Sequence, residues 1–209
     1  MSASVKKRPI IAVDIDDVLA AEAPFVIAYS NEHWGYNFTL DDYQEFWGAM
    51  WNVSGEESAR RAAELHAPGV EGSYQPITRA REALEHLRER FDLVVVTSRR
   101  ESVHQETLDW LDRYIGTGVF SQVVFSGIWD SGKVGAEKMT KTDILRSIGA
   151  RYLIDDQPKH CYSAAAGSIR AILFGEYPWN SGAGAPALPP GVVRCRDWQA
   201  VQGYFDGIS

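Results

Sequence analysis

Apolar residues along this chain fall into two rhythms. Short unbroken runs recur at Ile10–Val13, Phe91–Ser98 ("FDLVVVTS"), Phe120–Gly127 ("FSQVVFSG"), Ala150–Asp156 ("ARYLIDD") and Ile169–Gly175 ("IRAILFG"). Runs that are apolar on both faces are what strands look like when a parallel sheet is covered on both sides. Helical spacing fills the gaps. Ala80, Ala83, Leu84 and Leu87 form one stripe, and Val103, Thr107, Trp110, Leu111 and Tyr114 another. Ile144, Leu145 and Ile148 predict a third helix, and "PKHCYSAAAG" a fourth that ends at Gly167. Strand alternating with helix predicts an α/β fold, Rossmann-like, with a parallel sheet flanked by helices.

One stretch breaks the alternation. From the first strand to Pro76, about fifty residues contain no strand-like run. "TLDD" at Thr39 and "SGEE" at Ser54 match the capping pattern that opens a helix. The pattern therefore divides the chain into an α/β core, residues 1–20 and 76–209, and a small helical cap, residues 21–75, inserted after the first strand. An insertion there sits over the carboxyl ends of the sheet, where α/β proteins bind ligands. It is rich in aromatics, most of them expected to form its own core, with Tyr29 and Trp47 as candidates for a substrate wall. Tyr177–Gly191, rich in Gly and Pro, reads as a surface loop before a last helix around Trp198–Tyr204. There is no internal repeat.

The chemistry gathers where strands end. Asp14, Asp16 and Asp17 close the first run, Thr97 and Ser98 the second, and Asp155 and Asp156 the fourth. Carboxylates at i and i+2 of an extended chain face the same way and repel. A divalent cation between them resolves the conflict, and hard oxygen donors select Mg²⁺. A solvated acidic rim, or metal binding without chemistry, are the competing explanations. Lys141, or else Lys138, stands where a helix start could bring a positive charge over the same edge. Arg99 and Arg100 read either as a solvated loop or as readers of a second anionic group on a substrate. The histidines share no metal-ligand spacing, and "SGKVG" at Ser131 lacks the P-loop pattern.

Composition narrows the field. At 209 residues and 45% hydrophobic content the chain suits one globular domain with an insertion. A net charge of −7 argues against a nucleic-acid polymer as partner. No apolar run approaches a membrane span, no signal peptide is expected, and Cys161 and Cys195 stand in unrelated contexts, so a cytoplasmic protein without a membrane partner is expected.

Together these stretches resemble the haloacid dehalogenase (HAD) superfamily of phosphotransferases. "DIDDVL" matches its first motif, Thr97 in "VVVTS" its second, Lys141 its third and "LIDD" its fourth. Within the superfamily the chain is similar to the 5′(3′)-deoxyribonucleotidase group, through "TS", "APGVEGSYQPITRA" and "ILFGEYPWN". It departs from that group at Val70 and Glu71, where aromatics are usual, and at Arg99 and Arg100, where a small residue or Pro is usual. The resemblance implies a Mg²⁺-dependent phosphomonoesterase acting on a small-molecule phosphate ester. Asp14 would be the nucleophile that forms an aspartyl-phosphate, and Asp16 the acid and base. Thr97, Ser98 and Lys141 would hold the phosphoryl oxygens. Mg²⁺ would be held by Asp14, the backbone carbonyl of Asp16, and Asp155 or Asp156. A nucleoside monophosphate leads as substrate; a sugar or other metabolite phosphate, and a non-catalytic binding protein on the same scaffold, stay open.

Overall fold

A computed structural model describes residues 8–127, 139–182 and 186–208. Among these residues β1 (Ile10–Val13), β2 (Asp92–Thr97), β3 (Gln122–Phe125), β4 (Ala150–Asp155), β5 (Arg170–Phe174) and β6 (Val192–Cys195) form one sheet. Its order is β3-β2-β1-β4-β5-β6, and every pairing is parallel. The first five strands are the predicted apolar runs, trimmed at their ends. The sixth, "VVRC", was not expected. It is a short edge strand with Val193 and Arg194 only half-buried, and Arg194 interrupts the apolar run that would mark it in the sequence.

Alternation along the strands sorts the core into two layers. Ile11, Val13, Leu93 and Val95 pack toward α4 (Ala80–Leu87), α5 (His104–Tyr114) and α9 (Trp198–Asp206). Ile10, Ala12, Val94 and Val96 pack the other way, toward α6 (Lys141–Ile148) and α7 (Pro158–Ala166). Helix α7 ends where predicted, but Ser168, not Gly167, takes the left-handed backbone, with φ 64°. The strand order fixes the site. From β1 the chain builds outward to β3, and from β4 it builds the opposite way to β6. The connections diverge between β1 and β4 and leave a crevice at their carboxyl ends.

Residues 21–75 contain α1 (Glu22–Trp34), α2 (Trp47–Trp51) and α3 (Gly55–Leu65) and no named strand. Ser54 caps α3 by accepting from the Glu57 amide. The Thr39 box opens only a single 3₁₀ turn, Leu40–Asp42, because Tyr43 leaves for extended backbone and buries its ring. Ala23, Val26, Ile27, Trp47, Trp51 and Leu65 belong to a third apolar cluster, separate from the two that cover the sheet. The stretch read as a loop, Tyr177–Gly191, holds one further helical turn, α8 (Pro178–Ser181). Both cysteines are buried and unpaired. No helix among the described residues is long and apolar enough to cross a membrane.

Candidate active site

The acids after β1 are arranged by one tight turn. The Asp14 amide still donates to the Ile154 carbonyl at 3.0 Å, so the β1–β4 ladder carries that residue to the crevice. The chain then folds back on itself. The amides of Val18, Leu19 and Ala20 all donate to the Ile15 carbonyl, and Asp17 adopts φ 55°. Asp17 answers for the third acid of the run. Its carboxylate accepts from the Ala23 amide at 3.0 Å and so caps α1 from outside the helix. The first of the acids, Asp14, is 6% exposed. Burial, opposed by Lys141 and aided by Asp155 and Asp16, pushes its pKa up to about 6.

Lys141 is the first residue of α6, whose capping box is Thr140 with Asp143. Its ammonium lies 2.7 Å from Asp14 Oδ2 and 2.8 Å from Asp155 Oδ2. Burial works to lower the Lys141 pKa, but the two carboxylates carry it above the usual lysine range. Both oxygens of Asp155 are engaged, Oδ2 by Lys141 and Oδ1 by the Gln157 amide. Asp156 lines the cavity, and its Oδ2 accepts from Gln157 Nε2 and Trp179 Nε1. Burial, with the neighbouring Asp155, raises its pKa well above the carboxylate range. Lys138 and the Ser131 turn lie outside the described residues.

A buttress stands behind Asp156. Tyr177 stacks on Trp179 with ring centroids 4.5 Å apart, and its hydroxyl donates to the Asp17 carbonyl at 2.7 Å. Asn180 Nδ2 donates to the carbonyls of Asp156 and Phe174, and Arg194 donates to Asn180 Oδ1 and to the Gly175 carbonyl. Gly175 (φ 82°) lets the Tyr177 ring approach; a Cβ there would lie 2.2 Å from it.

At the end of β2, Thr97 is fully buried and its hydroxyl accepts from the Arg99 amide. Neither a solvated nor an uncommitted Arg99 survives the structure. The side chain is 3% exposed and lies across Asp16, with Nη2 2.6 Å and Nε 3.0 Å from Oδ1. Behind it Nε lies 3.4 Å from Glu71 Oε2, and Nη1 donates to Thr107. Burial acts to lower its pKa, but Asp16 and Glu71 hold it above its ordinary value. His66 Nδ1 in turn lies 2.8 Å from Glu71 Oε1. Two of the four positions that depart from the deoxyribonucleotidase pattern, 71 and 99, are thus partners in space.

Asp14, Asp16, Asp156, Lys141, Ser98, Arg99 and Arg100 line one cavity of about 200 Å³. Residues 21–75 supply its opposite wall through Glu22, Tyr43, Phe46, Trp47 and His66. Trp47, a candidate for a substrate wall, lines this cavity. Tyr29 does not: its ring stacks on His33 and its hydroxyl donates to Glu64. Phe46, 67% exposed, and the carboxylate Glu22 are wall residues that the sequence reading did not single out; Glu71, noted there as a departure from the group's pattern, is a third. His160 also lines the cavity; burial and the Lys141 charge lower its pKa to about 3, so it stays neutral.

The donor set fits a hard divalent cation. Asp14, Asp155 and Asp156 each offer a carboxylate oxygen within 4.8 Å of the others, and all three are buried. Burial first, and the neighbouring carboxylates after it, raise the pKa values of Asp14 and Asp156, and a cation bound among them would favour their charged forms. Asp156 Oδ1 accepts no hydrogen bond among the described residues, which leaves it available as a ligand.

Solved structures share this architecture. The chain is similar to a haloacid dehalogenase-like hydrolase of Streptococcus pneumoniae (TM-score 0.67, 13% identity, covering 95% of this chain and 98% of that one). It is also similar to the magnesium-bound YfnB of Bacillus subtilis, described as a HAD-hydrolase (0.62, 15%, 96% and 100%). A third is a HAD-superfamily hydrolase, subfamily IA, of Geobacter sulfurreducens (0.59, 19%, 94% and 99%). At these identities the likeness carries the fold alone. No curated protein matches the sequence. The model of the family described as 5′ nucleotidase, deoxy (Pyrimidine), cytosolic type C matches residues 8–203, and with it the motifs that meet at the β1–β4 crevice. The chain belongs to that family and is a HAD-type phosphatase, 5′-nucleotidase-like.

Proposed function

We propose that the protein is a Mg²⁺-dependent phosphomonoesterase that hydrolyses a small phosphate ester through an aspartyl-phosphate on Asp14, with a nucleoside monophosphate as the leading substrate. The observation that carries this reading is the pairing of buried Asp14 with Lys141 at 2.7 Å, beside Asp16 and under a cavity. A carboxylate held so close to an ammonium has its charge balanced while it waits for an anionic phosphoryl group.

In the first half-reaction an Asp14 oxygen bonds to phosphorus and the ester bond breaks, the departing oxygen taking a proton from Asp16. In the second, Asp16 takes a proton from water, whose oxygen bonds to phosphorus, and Asp14 leaves with its electron pair. Thr97, Ser98 and Lys141 hold the non-bridging oxygens. Asp14, the Asp16 carbonyl and Asp156 would hold Mg²⁺, with Asp155 given to Lys141; the ion supplies charge neutralisation for the phosphoryl group. Residues 21–75 act as a cap over the 1–20 and 76–209 core, and their aromatic wall of Tyr43, Phe46 and Trp47 suits a planar base. The family's cytosolic type supports a cytoplasmic location.

The test is phosphate release from nucleoside monophosphates, sugar phosphates and p-nitrophenyl phosphate, with Mg²⁺, with chelator, and with Asp14→Asn. Metal-dependent release that the substitution abolishes is the expected result. Equal release by Asp14→Asn would sink the covalent mechanism, and preference for sugar phosphates would move the substrate away from nucleotides.

A further inference from the structure

Asp16 is half-buried at the cavity, and its two carboxylate oxygens are held unequally. Arg99 Nη2, at 2.6 Å, and Nε, at 3.0 Å, both donate to Oδ1, while Oδ2 receives one longer contact, 3.2 Å from Nε. One oxygen is anchored twice and the other is the freer. The guanidinium that does this is fixed from its other sides. Its Nη1 donates to the buried Thr107 hydroxyl at 3.3 Å, and its Cζ lies 5.5 Å from the centre of the Tyr74 ring. Glu71 Oε2, buried and without a hydrogen bond, sets its charge 3.4 Å from Nε. Each guanidinium nitrogen thus has a partner within the protein. Glu71 is held in turn by the core. The amides of Gly69 and Gly72, on either side of it, donate to the Glu106 carboxylate of α5, and Trp110 of the same helix donates to the Tyr74 carbonyl at 2.8 Å. Support in successive layers is what fixes a reacting side chain to within a fraction of an ångström.

We propose that Arg99 is the positioning residue for Asp16: it pins Oδ1, which leaves Oδ2 to pass a proton to the leaving oxygen and later to take one from water. The inference rests on the phosphomonoesterase reading and adds to it a residue that acts through another. A carboxylate free to rotate spends part of its time with neither oxygen aimed at the ester, and that lost alignment slows the proton transfer. The planar fork of an arginine fixes direction as well as charge, whereas a lysine ammonium supplies the charge alone.

The experiment compares kcat/KM of the Mg²⁺-loaded full chain and its variants on a nucleoside 5′-monophosphate, glycerol phosphate and p-nitrophenyl phosphate. An alkoxide needs a proton as it departs; p-nitrophenolate does not. Because kcat/KM extends only to the release of the alcohol, the later proton transfer from water does not enter. The ratio of alkyl to aryl ester therefore reads Asp16 as an acid, while damage to the fold or to the phosphoryl site lowers both values together. Arg99→Lys keeps a cation between the two carboxylates and should lower that ratio several-fold. Glu71→Met combined with Arg99→Met removes the whole pair and should lower it by at least about tenfold, for every alkyl ester the wild type turns over. Should the double variant not fold, Arg99→Lys decides alone. Ratios within about twofold of wild type, or above it, overturn the inference while the aryl ester still reports a working phosphatase. Wild-type turnover of the aryl ester alone overturns it too, since Asp16 then gives no proton. No release from any ester, the aryl one included, overturns the phosphatase reading and this inference with it.

Discussion

Replacing Asp14 by Asn should make the metal-free protein more stable while it destroys the proposed nucleophile. In the fold the Asp14 carboxyl titrates at about 6, against an ordinary 3.8, chiefly because it is buried. The native state therefore binds more protons than the unfolded chain between those two values. Its stability falls as pH rises through that window and stays lowered above it. Lys141, at 2.7 Å, is already included in that balance. A gap of this size corresponds to about 3 kcal/mol at neutral pH. Asn keeps the shape and removes the charge, so Asp14→Asn should recover most of that amount. For a chain of this length the gain is about 6–12 °C in melting temperature. The assay is thermal unfolding of both proteins in chelator from pH 4 to 8. Neutral His160, lowered to about 3 by burial, opposes Asp14 in the same range, since its stability contribution is lost as pH falls below 6.5. The Asp14 charge works to raise the His160 pKa, so the substitution only lowers that value further, and the imidazole stays neutral in both folded proteins from pH 4 to 8. The stability difference between the two proteins should be full at pH 7.5, close near pH 4, and reverse in sign when saturating Mg²⁺ favours only the wild type. An Asp14→Asn protein less stable than wild type in chelator at pH 7.5 would refute the claim that desolvation outweighs the Lys141 pairing.

Lys141→Met leaves Asp14 and Asp155 facing each other in the interior, so turnover should fall by at least about 100-fold, and the metal-free protein should lose about 3–5 kcal/mol, read by denaturant titration. Gly175→Ala places a methyl against the Tyr177 ring at a left-handed φ of 82°; unfolding should show a loss above about 2 kcal/mol. Phe46→Ala trims an aromatic that is 67% exposed, so the melting temperature should move by only about 1–2 °C. In the same variant KM for base-bearing esters should rise several-fold relative to p-nitrophenyl phosphate, which steady-state kinetics can read.

The strands were legible because each of the five predicted runs carries consecutive apolar residues, and the acids were legible because they interrupt such runs at one end. Lys141 could be read from its place at a helix start that leads into the acidic strand. Contacts between distant segments had no such signature. Glu71 and Arg99 each stand out only as departures from the deoxyribonucleotidase pattern, and nothing in the linear order says that they touch. Tyr29 was misread for a related reason: helical spacing tells which residues turn inward, but not whether inward means the cluster of residues 21–75 or the cavity. Phe46 escaped notice because an exposed aromatic beside Trp47 has no periodicity of its own. The edge strand β6 was missed because "VVRC" needs only one apolar face.

The Arg99–Glu71 contact ties the loop after β2 to the segment returning from residues 21–75, and it constrains how such an enzyme can change over generations. Exchange of Glu71 for an apolar residue removes one of the two carboxylates that hold Arg99, and exchange of Arg99 leaves buried Glu71 and half-buried Asp16 without their cation. Each single step should therefore cost stability, so an exchange to an aromatic at the first position and a small residue at the second is expected to need both substitutions together.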